Sequence, residues 1–241
     1  MQCYSCNTTL NRRNKSIEHI IPNAIGGKRK AYNLLCKTCN EAFGQTIDNV
    51  LAAQLGRFGY LLNIPLDRGT HPATAPTQTP WVNPTHPAYY RAIAKICLNY
   101  YLSKGYPRQY CEQVKAFVKG EHTKPVAFYY FPDHIVPETE EVSHIIHLHG
   151  NNKTGVLYAY IELFNMQQLV VIFSMAYEGE DIDVTYCRDV VKGEERTASI
   201  RLGLTRQQLE SLPSSSTAME ERMSLRYQRL LTIIADKQRR N

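Results

Sequence analysis

Four cysteines constrain this chain more than any other feature. Cys3 and Cys6 form a C-x2-C knuckle, 29 residues follow, and Cys36 and Cys39 form a second knuckle. Each pair closes a tight turn whose two thiolates reach a single ion, and two knuckles complete a tetrahedral shell for zinc. A segment this short holds too little apolar mass to fold by itself, so a bound metal would stand in for a core. The other cysteines, Cys97, Cys111 and Cys187, are isolated in sequence and read as packing thiols. With no basic region followed by an apolar stretch at the N-terminus, clustered thiols predict a cytoplasmic setting and metal rather than disulfides. No apolar run approaches the roughly 20 residues of a membrane span, so no membrane is expected as a partner.

The formal charge of +6 is unevenly spread. Residues 1–60 carry eight Lys/Arg and three acids, and residues 218–241 carry six and three. The middle of the chain is therefore slightly acidic. Basic segments at both ends are candidate polyanion contacts, and the N-terminal one coincides with the cysteines.

What fills the spacer decides the fold of this segment. A strand ending at Glu18-His19 is stopped by Pro22. Gly26-Gly27 permits a sharp turn with positive φ. Leu34-Leu35 begins a return strand, and Cys36-Lys37-Thr38-Cys39-Asn40 opens a helix through Leu51. The expectation is a ββα unit braced by zinc.

Cys3-x2-Cys6, Glu18-His19-x2-Pro22, Gly26-Gly27, Asn33 and Cys36-x2-Cys39-Asn40 together resemble the HNH endonuclease family, the ββα-metal nucleases, over about residues 1–60. The resemblance implies hydrolysis of phosphodiester bonds. A neutral imidazole near pH 7 suits removal of a proton from the attacking water, which makes His19 the general base. The family pattern puts the ligands of a catalytic Mg2+ or Mn2+ at Glu18 and Asn40, where the ion would stabilise charge on the phosphate. Asn33 matches the position that braces the loop carrying His19. Lys28, Arg29 and Lys30 lie in the loop, where cations grip flanking phosphates. The chain departs from the family at two points: Asn40 replaces His, giving an H-N-N set, and Glu18 replaces the more frequent Asp. Asp48 is a nearby spare carboxylate for the ion.

Beyond the knuckles, Phe43, Ile47, Val50, Leu51 and Leu55 repeat at helical spacing, so one helix is expected from Asn40 to about Tyr60, weakened by Gly56 and Gly59. Six prolines between 64 and 87 read as a linker. The division expected is a nuclease module at 1–62, a Pro-rich linker at 63–87 and a second domain at 88–241. That domain opens on an apolar helical stripe, Tyr89, Ile93, Ile96, Cys97 and Tyr100, and a second helix around 107–118. Strand-like runs follow at 126–131, 143–149, 155–164, 169–175 and 182–187, joined by hairpin turns at 150–154 and 165–168. This predicts an antiparallel meander. His147 and His149 share one face of a strand while His144 points the other way, with no nearby acid or cysteine to complete a metal site, and they read as surface or core residues. Adjacent tyrosine pairs offer base stacking, though half of each pair faces the core. Thr217 and Glu220 fit a capping box for a final helix with Met219, Met223, Tyr227, Leu230 and Ile234 on one face and Arg222, Arg226, Arg229 and Lys237 on the others.

The fold class expected is α+β: a zinc-braced ββα module followed by an antiparallel-sheet α+β domain. The function expected is a metal-dependent endonuclease acting on DNA, with RNA left open, serving in phage defence or a mobile element. The rival reading is a zinc-stabilised nucleic-acid-binding module with weak catalysis. The second domain is where a homo-oligomer contact or a protein partner would dock.

Overall fold

The computed structural model describes residues 1–71, 82–83, 86–132, 141–212 and 217–240. It is α+β and divides into two compact units, Met1–Lys124 and Pro125–Asn241. The division corrects the boundary read from the prolines at 63–87. The first two of the three helices assigned by sequence to the second domain lie within the first unit. Four of the six prolines that suggested a linker (Pro72, Pro76, Pro80 and Pro84) lie outside the described residues.

In the first unit, β1 (Lys15–His19) and β2 (Lys30–Cys36) form an antiparallel hairpin with His19 opposite Lys30. The register slips between Lys15 and Ile17. Asn33, at φ 61, lies in the same stretch of β2 in a left-handed conformation, which gives the strand the kink of a β-bulge. The hairpin feeds α1 (Lys37–Phe43), whose N-cap is Cys36. A π-helical turn, Gly44–Asp48, joins α1 to α2 (Asn49–Leu61). One long helix was expected here, and the chain does run on helically, but the π-turn resets its phase. Phe43, Ile47, Leu51, Leu55 and Phe58 form the buried stripe, while Val50 is only partly buried.

Gly59 has a purpose that helix propensity alone obscures. A Cβ there would lie 3.2 Å from the Ala24 carbonyl oxygen. The glycine thus lets α2 pack close to the short 3-10 turn at Asn23–Ile25.

α3 (Pro87–Ser103) starts with proline at its first turn and a His86 side chain that accepts a hydrogen bond from the Ala88 amide. Twelve of its 17 residues are buried, so it is enclosed on every side and acts as the central helix of the unit. The expected stripe is all inside: Tyr89, Ile93, Ile96, Cys97 and Tyr100. α4 (Glu112–Lys119) packs against α3 and ends at Gly120 in the left-handed region, φ 79.

The second unit is a six-stranded antiparallel sheet built from β3 (Ala127–Tyr129), β4 (Ser143–Asn151), β5 (Val156–Leu163), β6 (Gln167–Ser174), β7 (Ile182–Asp189) and β8 (Glu194–Arg196). Five of the strands were expected; β8 was not. The spatial order is β3-β6-β5-β4-β7-β8, so the two central hairpins run in sequence while β3 and β7 join from outside. All of β5 is buried. Ile145, Tyr158, Tyr160, Val170 and Cys187 cluster with Ile200, Leu204 and Leu209, the last from α5 (Arg206–Ser211). α6 (Thr217–Arg240) closes the chain. Leu230 and Ile234 are buried as expected, and Arg226 joins them. Arg222 and Arg229, read as solvent-facing, instead donate to the carbonyl oxygens of Phe131 (3.0 Å) and Glu141 (2.8 Å). The serine run at 214–216 and the side chains of Thr217 and Met219 lie outside the described residues.

The histidines of β4 do core work. His144 Nδ1 accepts from the Phe164 amide at 3.0 Å. That contact supports a tight turn in which Phe164 and Asn165 both have positive φ, 59 and 50. His147 bonds the Thr185 hydroxyl at 3.0 Å.

Candidate active site

The sulfur atoms of Cys3, Cys6, Cys36 and Cys39 all lie within 4.8 Å of one another. Cys6 and Cys36 are 3.7 Å apart, close to the roughly 3.8 Å edge of a tetrahedron with Zn–S bonds of about 2.3 Å. Local backbone explains the convergence. In the first knuckle the Cys3 amide donates to Thr8 and the Asn7 amide to Cys3, with Asn7 turning at φ 60. The Tyr4 amide donates to the Leu34 carbonyl, which pins that knuckle to β2. In the second, Cys36 caps α1 and Cys39 sits in its first turn. The donor set and its spacing fit a structural zinc ion, and these four thiols could hold one. Among the described residues no other group of three or more His, Cys, Asp or Glu side chains converges in this way.

His19 ends β1 just before the chain turns. The Ile20 amide donates to the Arg29 carbonyl, and Gly27 to that of Pro22, which folds the loop back on itself. Gly26 adopts φ 88 as expected. Gly27 is required for a different reason: a Cβ would lie 1.8 Å from the Ile21 carbonyl oxygen.

The His19 ring is 8% exposed, and its Nε2 lies 3.0 Å from Asp67 Oδ2. Lys30, the cross-strand neighbour of His19, reaches the same oxygen at 2.7 Å. These two contacts, Lys30 first, hold the Asp67 carboxyl down at about 2. Burial lowers the His19 pKa, and Asp67 partly offsets that. The lowering favours the uncharged ring, the state a general base requires. Asp67 did not emerge from the sequence. It lies 48 residues from its partner, and no spacing rule connects them.

Glu18 has the opposite fate. Successive strand residues face opposite ways, so its carboxylate turns into the core and is 8% exposed. There Lys95 of α3 lies 2.5 Å from Glu18 and 2.7 Å from Asp48 of the π-turn, and its ammonium also sits over the Phe43 ring. Burial raises the pKa of both carboxyls, and Lys95 works against that rise. The structure does bring the spare acid Asp48 to Glu18, but an ammonium already fills the space between the two. The residues expected to hold a catalytic divalent ion therefore do not fit one as arranged. Asn40 is partly exposed, and its side chain makes no hydrogen bond among the described residues. Lys95 had a visible signal, a single charge within the apolar run Ala92-Ile93-Ala94-Lys95-Ile96.

The other expected site residues divide. Asn33 shapes the hairpin through its backbone, and its side chain makes no brace to the His19 loop among the described residues. Lys30 is placed beside His19. Lys28 and Arg29 are half-buried and engaged in contacts. Along the outer edge of β2 runs a cleft of about 710 Å³ whose lining includes Lys30, Tyr32, Asn33, Tyr106 and Arg108 and no acid.

Residues 3–55 match the model of the HNH endonuclease family. The match spans the four-cysteine cluster and the β1–β2 hairpin, and it suggests a nuclease-type function for this segment. No curated protein and no solved structure matches the chain. No helix among the described residues is long and apolar enough to cross a membrane.

Proposed function

We propose that the Met1–Lys124 unit is an endonuclease that hydrolyses phosphodiester bonds of DNA, with His19 as the general base. The observation that carries this reading is an imidazole oriented by Asp67 at the strand end of a zinc-fitted ββα frame. Water gives a proton to the free ring nitrogen as its oxygen bonds phosphorus. The P–O3′ bond breaks, and the departing 3′ oxygen takes a proton from solvent. The products are 5′-phosphate and 3′-hydroxyl ends. Lys30 and the half-buried Lys28 and Arg29 supply positive charge for flanking phosphates. The β2 cleft, with two cations and two tyrosines, suits a nucleic-acid strand leading away from His19. RNA is an alternative substrate of the same chemistry.

Mg2+ or Mn2+ is expected of such nucleases and would stabilise charge on the phosphate. Here Glu18 would have to release Lys95 to bind it, and no step is assigned to the ion. That same pairing favours a second reading, a nucleic-acid-binding module with weak catalysis. A setting in phage defence or mobile elements, and oligomer or partner contacts through the second unit, belong to the proposal as well.

Plasmid nicking with Mg2+ or Mn2+, compared between the wild type and His19→Ala, tests the reading. Cutting that disappears in the variant supports it. Cutting that survives removes His19 as the base. Binding without cutting by the wild type favours the second reading.

A further inference from the structure

The family match ends at residue 55, yet the side chain best placed to govern His19 lies beyond it. We propose that Asp67 is the positioning residue of this site, fixing the tautomer and the orientation of the His19 ring, and that Asn23 and Lys30 fix Asp67 in turn. The inference rests on the nuclease reading for its effect on rate but not for its geometry.

An ionised carboxylate accepts hydrogen bonds and cannot donate them. At 3.0 Å from Asp67 Oδ2, the His19 Nε2 must therefore carry the proton. That leaves Nδ1 as the acceptor, and Nδ1 has no hydrogen-bond partner among the described residues. A ring held in this way presents one basic nitrogen in one direction, as a general base must.

The carboxylate is itself held from two sides. The Asn23 side chain uses both ends of its amide on the backbone of residues 67 and 68. Its Oδ1 accepts from the Asp67 amide at 2.7 Å, and its Nδ2 donates to the Arg68 carbonyl at 2.9 Å. Asn23 stands four residues after His19, in the 3-10 turn that Pro22 begins. The loop leaving the base thus also grips the segment that returns to orient it. Lys30 completes the arrangement at 2.7 Å. A surface ion pair between Lys30 and Asp67 alone would be weak. What that bland reading leaves unexplained is the two-ended Asn23 clamp and the sharing of one oxygen between Lys30 and the His19 ring.

The test uses the full chain labelled with 15N, in the wild type and in Asp67→Ala, Asp67→Asn and Asn23→Ala. Long-range 1H–15N correlation near pH 7.5 reads the His19 tautomer, assigned by the signal lost in His19→Gln. The wild type should show a proton on Nε2. Asp67→Ala should lose that bias, and Asp67→Asn, whose amide oxygen still accepts, should keep most of it. In the nicking assay Asp67→Ala should lower kcat about 10- to 100-fold with KM changed less than about twofold, and Asp67→Asn should lose less. Asn23→Ala should fall in between. A purely structural role would lower the melting temperature of all three variants while leaving the tautomer and kcat alone. An unchanged tautomer in a folded Asp67→Ala protein overturns the proposal. A tautomer shift in a protein that cuts nothing supports the positioning and overturns the nuclease reading instead, so the two failures are distinguishable.

Discussion

The two compact units solve the same problem with different materials. The first forty residues of the Met1–Lys124 unit rely on four thiols, and behind them an ammonium lies between two carboxylates. The second unit buries a six-stranded sheet, with every residue of β5 inside and Tyr158 and Tyr160 in its core, and polar side chains such as His144, His147, Glu162 and Asp189 are buried among the apolar ones. The first unit adds a thiol cluster fit for zinc and a buried ion cluster to its apolar core, and the second rests on its packed sheet. The difference lies in placement: in the first unit polar groups converge at the thiol cluster, at His19 and at Lys95, whereas in the second they are spread through the sheet and bonded within it.

The largest effect should come from the metal. Structural zinc in small modules contributes about 10–16 kcal/mol of apparent binding energy that is also folding energy. Chelation, or Cys36→Ser with Cys39→Ser, should remove hydrogen-exchange protection from β1, β2 and α1 while β4 to β7 keep theirs. Metal analysis of the untreated protein should find one zinc per chain. Equal loss of protection in both units would break the comparison.

Next in size is Lys95. Removing one member of a buried ion cluster strands the others and costs about 3–5 kcal/mol. Lys95→Met should therefore lower the melting temperature of the first unit sharply, and adding Glu18→Gln and Asp48→Asn should restore much of it. Mn2+ sharpens the test. If the ion raises the melting temperature of Lys95→Met far more than that of the wild type, Glu18 and Asp48 form an ion site that Lys95 occupies in the native chain.

These two predictions also mark what was legible in the sequence. The knuckles, the hairpin and His19 were legible because each is written in local spacing: two residues between thiols, a proline that stops a strand, a Gly-Gly turn. Most of the sheet was legible because its strands are apolar runs separated by turns. The pairings of Asp67 and Lys95 were not, since Asp67 lies 48 residues from His19, Lys95 lies 77 from Glu18 and 47 from Asp48, and no local rule joins them. The prolines at 63–87 suggested a boundary because composition shifts there. Lys95, on the far side of that stretch, is tied back to β1, so the first unit continues to Lys124. The π-turn also escaped notice, because one additional residue in a helix leaves no mark in a stripe spaced by three and four.

In the second unit the pH should reveal some of the polar groups that the sheet buries. The His147 pKa is lowered to about 4, first by burial and then by His149, with Asp183 opposing. The ring takes a proton near pH 6.5 in the unfolded chain. Between those values the unfolded state binds more protons, so stability falls as pH drops from 6.5 to 4 and is unaffected above that window. The loss is at most about 3 kcal/mol, and nearer 2 once solvent screening is allowed for. Denaturant melts of β4 to β7 probes across that range should show it, and His147→Gln should flatten the slope. His149, also lowered by burial, adds in the same direction.

The smallest effect concerns a helix that hydrophobic periodicity passed over. Thr205 accepts from the Gln208 amide, and the Gln208 side chain accepts from the Thr205 amide at 2.9 Å, a complete capping box for α5. The same signature was read at Thr217, whose side chain lies outside the described residues, and missed here because α5 has only six residues. Its one fully buried side chain, Leu209, reaches the sheet cluster that includes Tyr158, whose hydroxyl accepts from the Leu204 amide at 3.1 Å. Thr205→Ala should cost about 1 kcal/mol, read as a small shift in the denaturant midpoint of the second unit with an unchanged slope. A unit that rests on its packed sheet should absorb that loss. A loss of several kcal/mol would mean that the sheet, too, depends on a few placed polar groups, and the contrast between the two units would narrow.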